Sequence, residues 1–417
     1  MRICFLTHYF PPEVGAPQTR IDLLARTLAA RGATVTVHTG FPHYPSGVIR
    51  APYRNRPWQR EHRDGIEIVR SSVYPAVNAG FSRRLADHAS LALSALATAR
   101  VSGPADVIVG ETPPLFTAAA GVAYARLKRA AYVVNVADLW PASAVALGAL
   151  RDRRAIAAAT ALEHWTYAHA DLITAPTEGI FTALASVPEA AGKAHRLWPV
   201  VDIERFDPQP PEPTAGAGGP LRLLFAGTIG LAHGLEVLVE ASRLAGPEVV
   251  QTTIAGDGAD APRIRTAIRE SGAGNVRMLG AIPAESIPRL YADSDAGAVL
   301  LRDLEIFRGA LPTKMLEAMA AGRPLLLAAR GESAELVRRA GAGLVVAPGD
   351  PAALAGACAR LQADRDLRLG LGRAARGYAE THFGAERAAD AWTALLSAAV
   401  GRRARRRGAQ RASARAA

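Results

Sequence analysis

Apolar runs of four to six residues recur along the chain, each closed by glycine, proline or small polar residues and followed by a longer stretch with helical spacing. The first is Arg2–Thr7, which leads through a Pro/Gly-containing loop into a helix over about Thr19–Arg31 and a second strand at Thr34–Thr39. Further strands are predicted at Ile66–Arg70, Val107–Val109, Tyr132–Val136 and Leu172–Ala175. Alanine-rich helical sequence separates these runs. A parallel sheet covered on both faces gives that pattern.

The pattern stops at 207–220, a Pro/Gly-rich stretch that reads as a linker. A second series follows, with strands predicted at Leu221–Ala226, Val250–Ala255, Val276–Leu279, Ala296–Leu301, Leu325–Ala328 and Gly343–Val346. No fixed-period repeat is visible, so the reading is α/β with two Rossmann-like doubly wound domains. The expected divisions are 1–206, the linker 207–220, 221–385, a closing helix over 386–400 that returns to the first domain, and a tail over 401–417. Two such domains facing across a cleft place function in loops at the carboxyl ends of their strands.

Composition narrows the class. At 417 residues and 49% hydrophobic content the chain can bury a large core. The net charge is +11, but seven arginines lie in the last seventeen residues, leaving the rest at +4. The charge therefore describes the tail, not the body, and argues against a nucleic-acid-binding fold. With little apolar content the tail is expected to be disordered. An anionic membrane surface, RNA, or no partner at all are open readings for it. Cys4 and Cys358 are the only cysteines, which fits a reducing cytoplasm and no disulfide framework. No secretory leader pattern opens the sequence, and the longest apolar stretch, Ala89–Ala99, falls short of the roughly 20 residues a bilayer span needs.

The segment Leu311–Pro324 carries the most chemistry. Pro312 suits a helix start, and Gly322 with Pro324 suits its exit. Lys314 falls in the first turn, where unpaired N–H groups and the helix dipole already favour a phosphate. Glu317 lies one turn on, placed to accept from paired ribose hydroxyls. An ordinary Lys–Glu surface pair is the alternative. Phe225–Glu236 is again strand, Gly-rich loop and helix; Gly227 and Gly230 suit a turn, while Thr228 and His233 are candidate phosphate donors. Leu279, in Asn275–Gly280, offers main-chain groups to a base. In the first domain, Gly15 opens a helix after the first strand, and His8 is either a cleft residue or a core histidine. Asp138, before Trp140 and Pro141, is either an acceptor-side carboxylate or a local cap. No metal site is read, because D-x-D and H-x-x-x-H are absent and the cysteines are remote.

Together, Tyr9–Glu13, Thr39–Gly47, Asp138–Pro141, Gly227–Gly230 and Phe307–Pro324 resemble the retaining family-4 glycosyltransferases of the GT-B fold. They are most similar to the bacterial subgroup of N-acetyl-fucosamine transferases of O-antigen and capsule assembly. The resemblance implies a UDP-linked sugar donor, no cofactor, no metal, and an acceptor that is a glycan or a polyprenyl-diphosphate-linked sugar. It also implies a place in the cytoplasm, peripheral on the membrane, for which the Arg83/Arg84 region with its apolar neighbours is one candidate contact and an internal surface helix the alternative. The family's glutamate pair, with seven residues between its members, maps its second member onto Glu317. Its first falls on Gly309, a departure, and Thr228 and His233 stand where the family has Arg and Lys. Lys314 and Arg308 are then the cations left for the diphosphate, Asp138 the acceptor-positioning residue, and the leaving phosphate the proton acceptor. A sugar-nucleotide 2-epimerase of the same architecture and a non-catalytic basic binding protein are the competing readings.

Overall fold

The structure, a computed structural model, describes every residue except 14, 45, 77–80, 207–218 and 417, and the side chains of all but these and 81, 82 and 410–416. The chain forms two units, Met1–Pro199 with Ala385–Ala417, and Val200–Gly384. The first boundary thus falls at Pro199/Val200. Residues 200–206 belong to the second unit, where Arg376 donates to the Ile203 and Phe206 carbonyls and Phe206 packs edge-on against Tyr291. Most of the linker expected at 207–220 lies outside the described residues.

The first unit holds strands β1 (Arg2–Leu6), β2 (Thr34–Gly40), β3 (Trp58–Arg63), β4 (Ile66–Ser71), β5 (Val107–Thr112), β6 (Ala131–Val136), β7 (Leu172–Ala175) and β8 (Ala194–Arg196). They form one sheet in the order β3-β4-β2-β1-β5-β6-β7-β8, parallel except where β3 meets β4. Helices α1 (Ala16–Ala30), α2 (Phe81–Ala97), α3 (Leu115–Lys128), α4 (Ala142–Ala146), α5 (Arg153–His169) and α6 (Glu178–Ala185) connect them. Strands β1, β5 and β7 are buried almost end to end, as expected for strands covered on both faces. The sequence reading missed β3 and β8. Both are edges: β3 (WQREHR) carries no apolar run, and β8 is three residues long.

Helix α2 directs Leu91 and Ala95 into the core, while Leu93 stands well out. The apolar stripe that suggested a membrane-lying helix is therefore largely taken up by packing.

The second unit is a six-stranded parallel sheet of β9 (Leu221–Ala226), β10 (Val250–Ala255), β11 (Val276–Gly280), β12 (Ala296–Leu300), β13 (Leu325–Ala328) and β14 (Gly343–Val346). Its order, β11-β10-β9-β12-β13-β14, reverses direction between β9 and β12, the position where open α/β sheets take ligands. Its helices are α7 (Glu236–Ala245), α8 (Ala261–Ser271), α9 (Ile287–Ala292), α10 (Thr313–Ala320), α11 (Glu332–Ala340), α12 (Pro351–Ala363) and α13 (Arg365–Phe383).

The last helix, α14 (Ala385–Ala416), packs on the first unit. Leu396 and Ala399 are fully buried, Trp392 tilts against Phe5 at 6.5 Å, and Arg31 pairs with Asp390. The disordered tail expected at 401–417 is not what forms: the backbone stays helical to Ala416. Alanine and arginine are strong helix formers, and the arginines find acceptors. Arg406 pairs with buried Asp171 at 3.3 Å, and Arg407 donates to the Arg129 carbonyl at the C-terminal end of α3, where a helix dipole favours a cation.

Candidate functional site

The second unit gathers its chemistry at the β9/β12 reversal. The loop after β9 approaches the loop after β10 so closely that a Cβ on Gly256, whose φ is +144°, would lie 1.9 Å from the Gly227 oxygen. Only glycine allows this, and hydrogen bonds from Ile229 N to Asp257 O and from Asp260 N to Ile229 O fix the crossing. Thr228 is exposed at its tip, with Gly230 beside it in open space.

Helix α10 points its first turn at this loop. Its methionines and Leu316 fill the core, while Lys314 is 8% exposed and reaches Nε2 of His233 at 2.9 Å, with Nζ 4.5 Å above the Phe225 ring. His233 Nδ1 lies 3.1 Å from the Leu300 carbonyl, an acceptor only, so the proton sits on Nδ1 and Nε2 accepts from Lys314. Burial and the lysine hold His233 at a pKa of about 3, neutral at physiological pH. Burial draws Lys314 down to about 7, against the opposing pull of Glu317.

Glu317 is half-buried, and its carboxylate makes no hydrogen bond or ion pair among the described residues. Burial pushes it up to about 7, opposed by Arg205 and Lys314. An unpaired carboxylate in a low-dielectric position costs stability unless a ligand occupies it. The Lys–Glu surface pair is therefore not what forms. Lys314 and Glu317 are both withdrawn from solvent and unsatisfied with respect to each other.

The remaining predicted residues of this unit separate. Leu279 sits half-buried at the carboxyl end of edge strand β11. Arg308 is exposed and pairs with Glu305 at 2.8 Å, while its carbonyl accepts from Glu332 N. The sequence reading overlooked Arg302, exposed two residues past β12, whose N–H donates to Ala232 in the His233 loop. It follows a buried strand without any motif, so only topology brings it to the site.

In the first unit, Gly15 stands at the N-terminal cap of α1, directly after the β1 loop. Asp138 accepts from the Ser143 hydroxyl at 2.8 Å at the start of α4, and burial raises its pKa. Glu13 receives three main-chain N–H groups, from Phe10, His43 and Tyr44, which ties the loop after β1 to the loop after β2. A chain of polar side chains, Thr7, Glu111, Asn135 and Thr174, crosses the carboxyl ends of β1, β5, β6 and β7.

His8 is fully buried and lies in a cluster the sequence did not reveal. Its Nε2 is 3.2 Å from one Asp87 oxygen, and His43 Nε2 is 2.9 Å from the other. Burial opposes charge on His43, but the bond and charge of Asp87 prevail and raise its pKa; burial likewise opposes charge on Asp87, but the bonds from His43 and His8 prevail and hold it below the usual carboxylate range. His8, His43 and Asp87 form a set able to ligate a metal, a group that the sequence reading of no metal site did not include. Motif reading could not find it, because the three come from separate loops and a helix.

Residues 15–197 match the family described as Glycosyl transferase 4-like domain, and residues 220–364 match Glycosyl transferases group 1. The 2-deoxystreptamine glucosyltransferase of Streptomyces kanamyceticus is 29% identical over 89% of this chain and 96% of its own. WcaI of Escherichia coli strain K12, named for colanic acid biosynthesis glycosyl transfer, is 24% identical over 77% of this chain and 82% of its own. In fold, the chain is similar to Anabaena HepE, solved in complex with UDP-glucose, with a TM-score of 0.71 at 19% identity, covering 95% of this chain and 100% of that one. The chain therefore carries the two domains of a GT-B glycosyltransferase, a glycosyltransferase 4-like domain followed by a group 1 domain.

Proposed function

We propose that the protein transfers a sugar, of the N-acetylated deoxy-hexosamine class, from a UDP-linked donor to a hydroxyl of a surface-polysaccharide or polyprenyl-diphosphate-linked acceptor, with retention at the anomeric carbon. The observation that carries this reading is the Lys314–His233 pair at the start of α10, with Glu317 unpaired one turn on. A departing diphosphate develops negative charge, which Lys314, the first N–H groups of α10 and the Thr228 hydroxyl meet without reorganising. His233 stays neutral and holds the lysine toward the Gly227 loop. Glu317 accepts from the ribose hydroxyls, which supply the partners its carboxylate lacks.

Arg302, at the β9/β12 reversal, serves the diphosphate in place of Arg308, which Glu305 already engages. The leaving phosphate takes the acceptor proton on the face it departs from, so no separate base is required, and Asp138 in the other unit positions the acceptor hydroxyl. UDP as the nucleotide is supported by HepE, whose structure holds UDP-glucose. A polysaccharide acceptor is supported by WcaI, named for colanic acid assembly. The exposed arginines of α14 and Arg83/Arg84 give the protein a peripheral place on the cytoplasmic face of an anionic membrane.

The test is a donor-hydrolysis and transfer assay across UDP-, GDP- and ADP-linked sugars, with the anomeric configuration of product read by NMR. Turnover of UDP-linked donors giving an α-linked product from an α-linked donor is the expected result. Inversion, or turnover of no nucleotide sugar, overturns the reading.

A further inference from the structure

The cluster beneath the β1 and β2 loops has a composition unlike the rest of the core. His8, His43 and Asp87 have side chains 0%, 1% and 3% exposed, and their ligating atoms all lie within 4.8 Å of one another. Both imidazoles present Nε2 to one carboxylate. In tetrahedral zinc sites, bonds of about 2.0–2.2 Å to nitrogen and oxygen leave neighbouring ligand atoms roughly 3.3 Å apart. The Nε2-to-carboxylate separations here, 2.9 Å for His43 and 3.2 Å for His8, need to change by less than about 0.5 Å to meet that spacing.

One imidazole also has the outer contact such a site needs. A metal-bound imidazole keeps its proton on the other nitrogen and donates it to a backbone carbonyl or carboxylate. His43 Nδ1 lies 2.8 Å from the Phe41 carbonyl, in place for that bond. His8 Nδ1 is buried without a partner, so the group met at Nε2 is what holds this ring. Glu13 is adjacent but occupied, its oxygens accepting from three main-chain N–H groups. The neighbouring His88, its ring 4.8 Å from that of His8, has its Nε2 engaged by the Tyr9 hydroxyl at 3.3 Å, so a water supplies the fourth ligand.

We propose that His8, His43 and Asp87 form a buried three-residue site for a divalent transition metal of zinc-like preference, which staples the loops after β1 and β2 to helix α2. Coordination through Nε2 requires each ring as its Nδ1–H tautomer, so the proton His8 shares with Asp87 moves to Nδ1 and the one His43 shares with Asp87 leaves to solvent. The site is separate from the diphosphate chemistry of the second unit and does not depend on it, since its readouts are metal content and stability.

Tag-free full-length protein, equilibrated with zinc and freed of excess by gel filtration, should carry one zinc per chain by elemental analysis. Replacement by cobalt(II) should give the visible bands of tetrahedral cobalt, and zinc should raise the melting temperature. His43→Asn and Asp87→Asn should lose the metal, the cobalt bands and the thermal shift. Only traces of zinc and no cobalt spectrum in the wild type would overturn the proposal, leaving a hydrogen-bond network. Full retention of the metal by both variants would overturn it too, by placing the metal elsewhere. If either variant fails to fold by circular dichroism, the wild-type stoichiometry and cobalt spectrum still decide.

Discussion

Donor affinity should fall as pH rises through neutrality, and one side chain should account for it. Lys314 is buried against Phe225 and His233, and burial draws its pKa to about 7. A diphosphate favours the cationic lysine, so affinity is highest below pH 7 and declines above it. If only the cation binds, the apparent Kd scales as one plus the ratio of neutral to protonated lysine, a weakening of about 10-fold between pH 6 and pH 8, or ~1.4 kcal/mol. His233, at about 3, stays neutral over this range and adds nothing to the slope, whereas Glu317, raised to about 7, ionises over it and offsets part of the fall, which makes about 10-fold the upper limit. The assay is calorimetric titration with UDP-glucose at constant ionic strength. UDP itself is less suitable, because a terminal phosphate titrates near pH ~6. Lys314→Arg should lose this fall, since guanidinium stays charged. Glu317→Gln removes the anion that supports the lysine's charge, so its transition should move to lower pH. A wild-type Kd that is flat over this range, or a Lys314→Arg protein with the wild-type slope, would refute the reasoning.

Lys314→Ala should lower turnover by ~100-fold or more, the scale for removing one preorganised donor, with the fold retained; wild-type turnover would remove Lys314 from the mechanism. Glu317→Gln should gain stability relative to wild type as pH rises from 5 to 8. The carboxyl is raised to about 7 in the folded state, so its contribution is full below the unfolded value of 4.5 and lost as pH climbs through 7. Melting temperatures across that range decide, and a difference independent of pH counts against the raised carboxyl. Turnover should persist in EDTA, and loss restored by magnesium or manganese would require a diphosphate-bridging cation. Full-length protein should sediment with anionic vesicles more than a chain ending at Val400, at about 1 kcal/mol per available arginine, and lose this between 0.1 M and 1 M salt as the Debye length falls from roughly 10 Å to about 3 Å. Equal sedimentation of the two would exclude the tail.

The sheets of both units were legible because central strands such as β1, β5 and β13 are rich in buried apolar residues and alanine-rich helices separate them. Edge strand β3 was not, since its residues bury little and alternate without an apolar face. At the site, Lys314 and Glu317 were legible because one helix turn sets both. The contact of Lys314 with His233, 81 residues away, follows from sheet order rather than local sequence. Glu13 stood out only as part of a motif; its work of clamping two loops needs the fold to be seen. The tail misled because composition reports the absence of an apolar face but not the acceptors, Asp171 and the end of α3, that wait for its arginines.

The return of α14 to the first unit also sets an order of assembly. Phe5 and the surface of α1 wait for Trp392, Leu396 and Asp390, which are synthesised almost two hundred residues after β8 is complete. At 5–20 residues per second that delay is roughly 10–40 s, long against the folding of a domain. The second unit, contiguous in sequence, can be finished first. The first unit spends the interval with an apolar seam open to water and to other nascent chains. A stop codon near the end of the message would thus injure the beginning of the protein, leaving its middle intact.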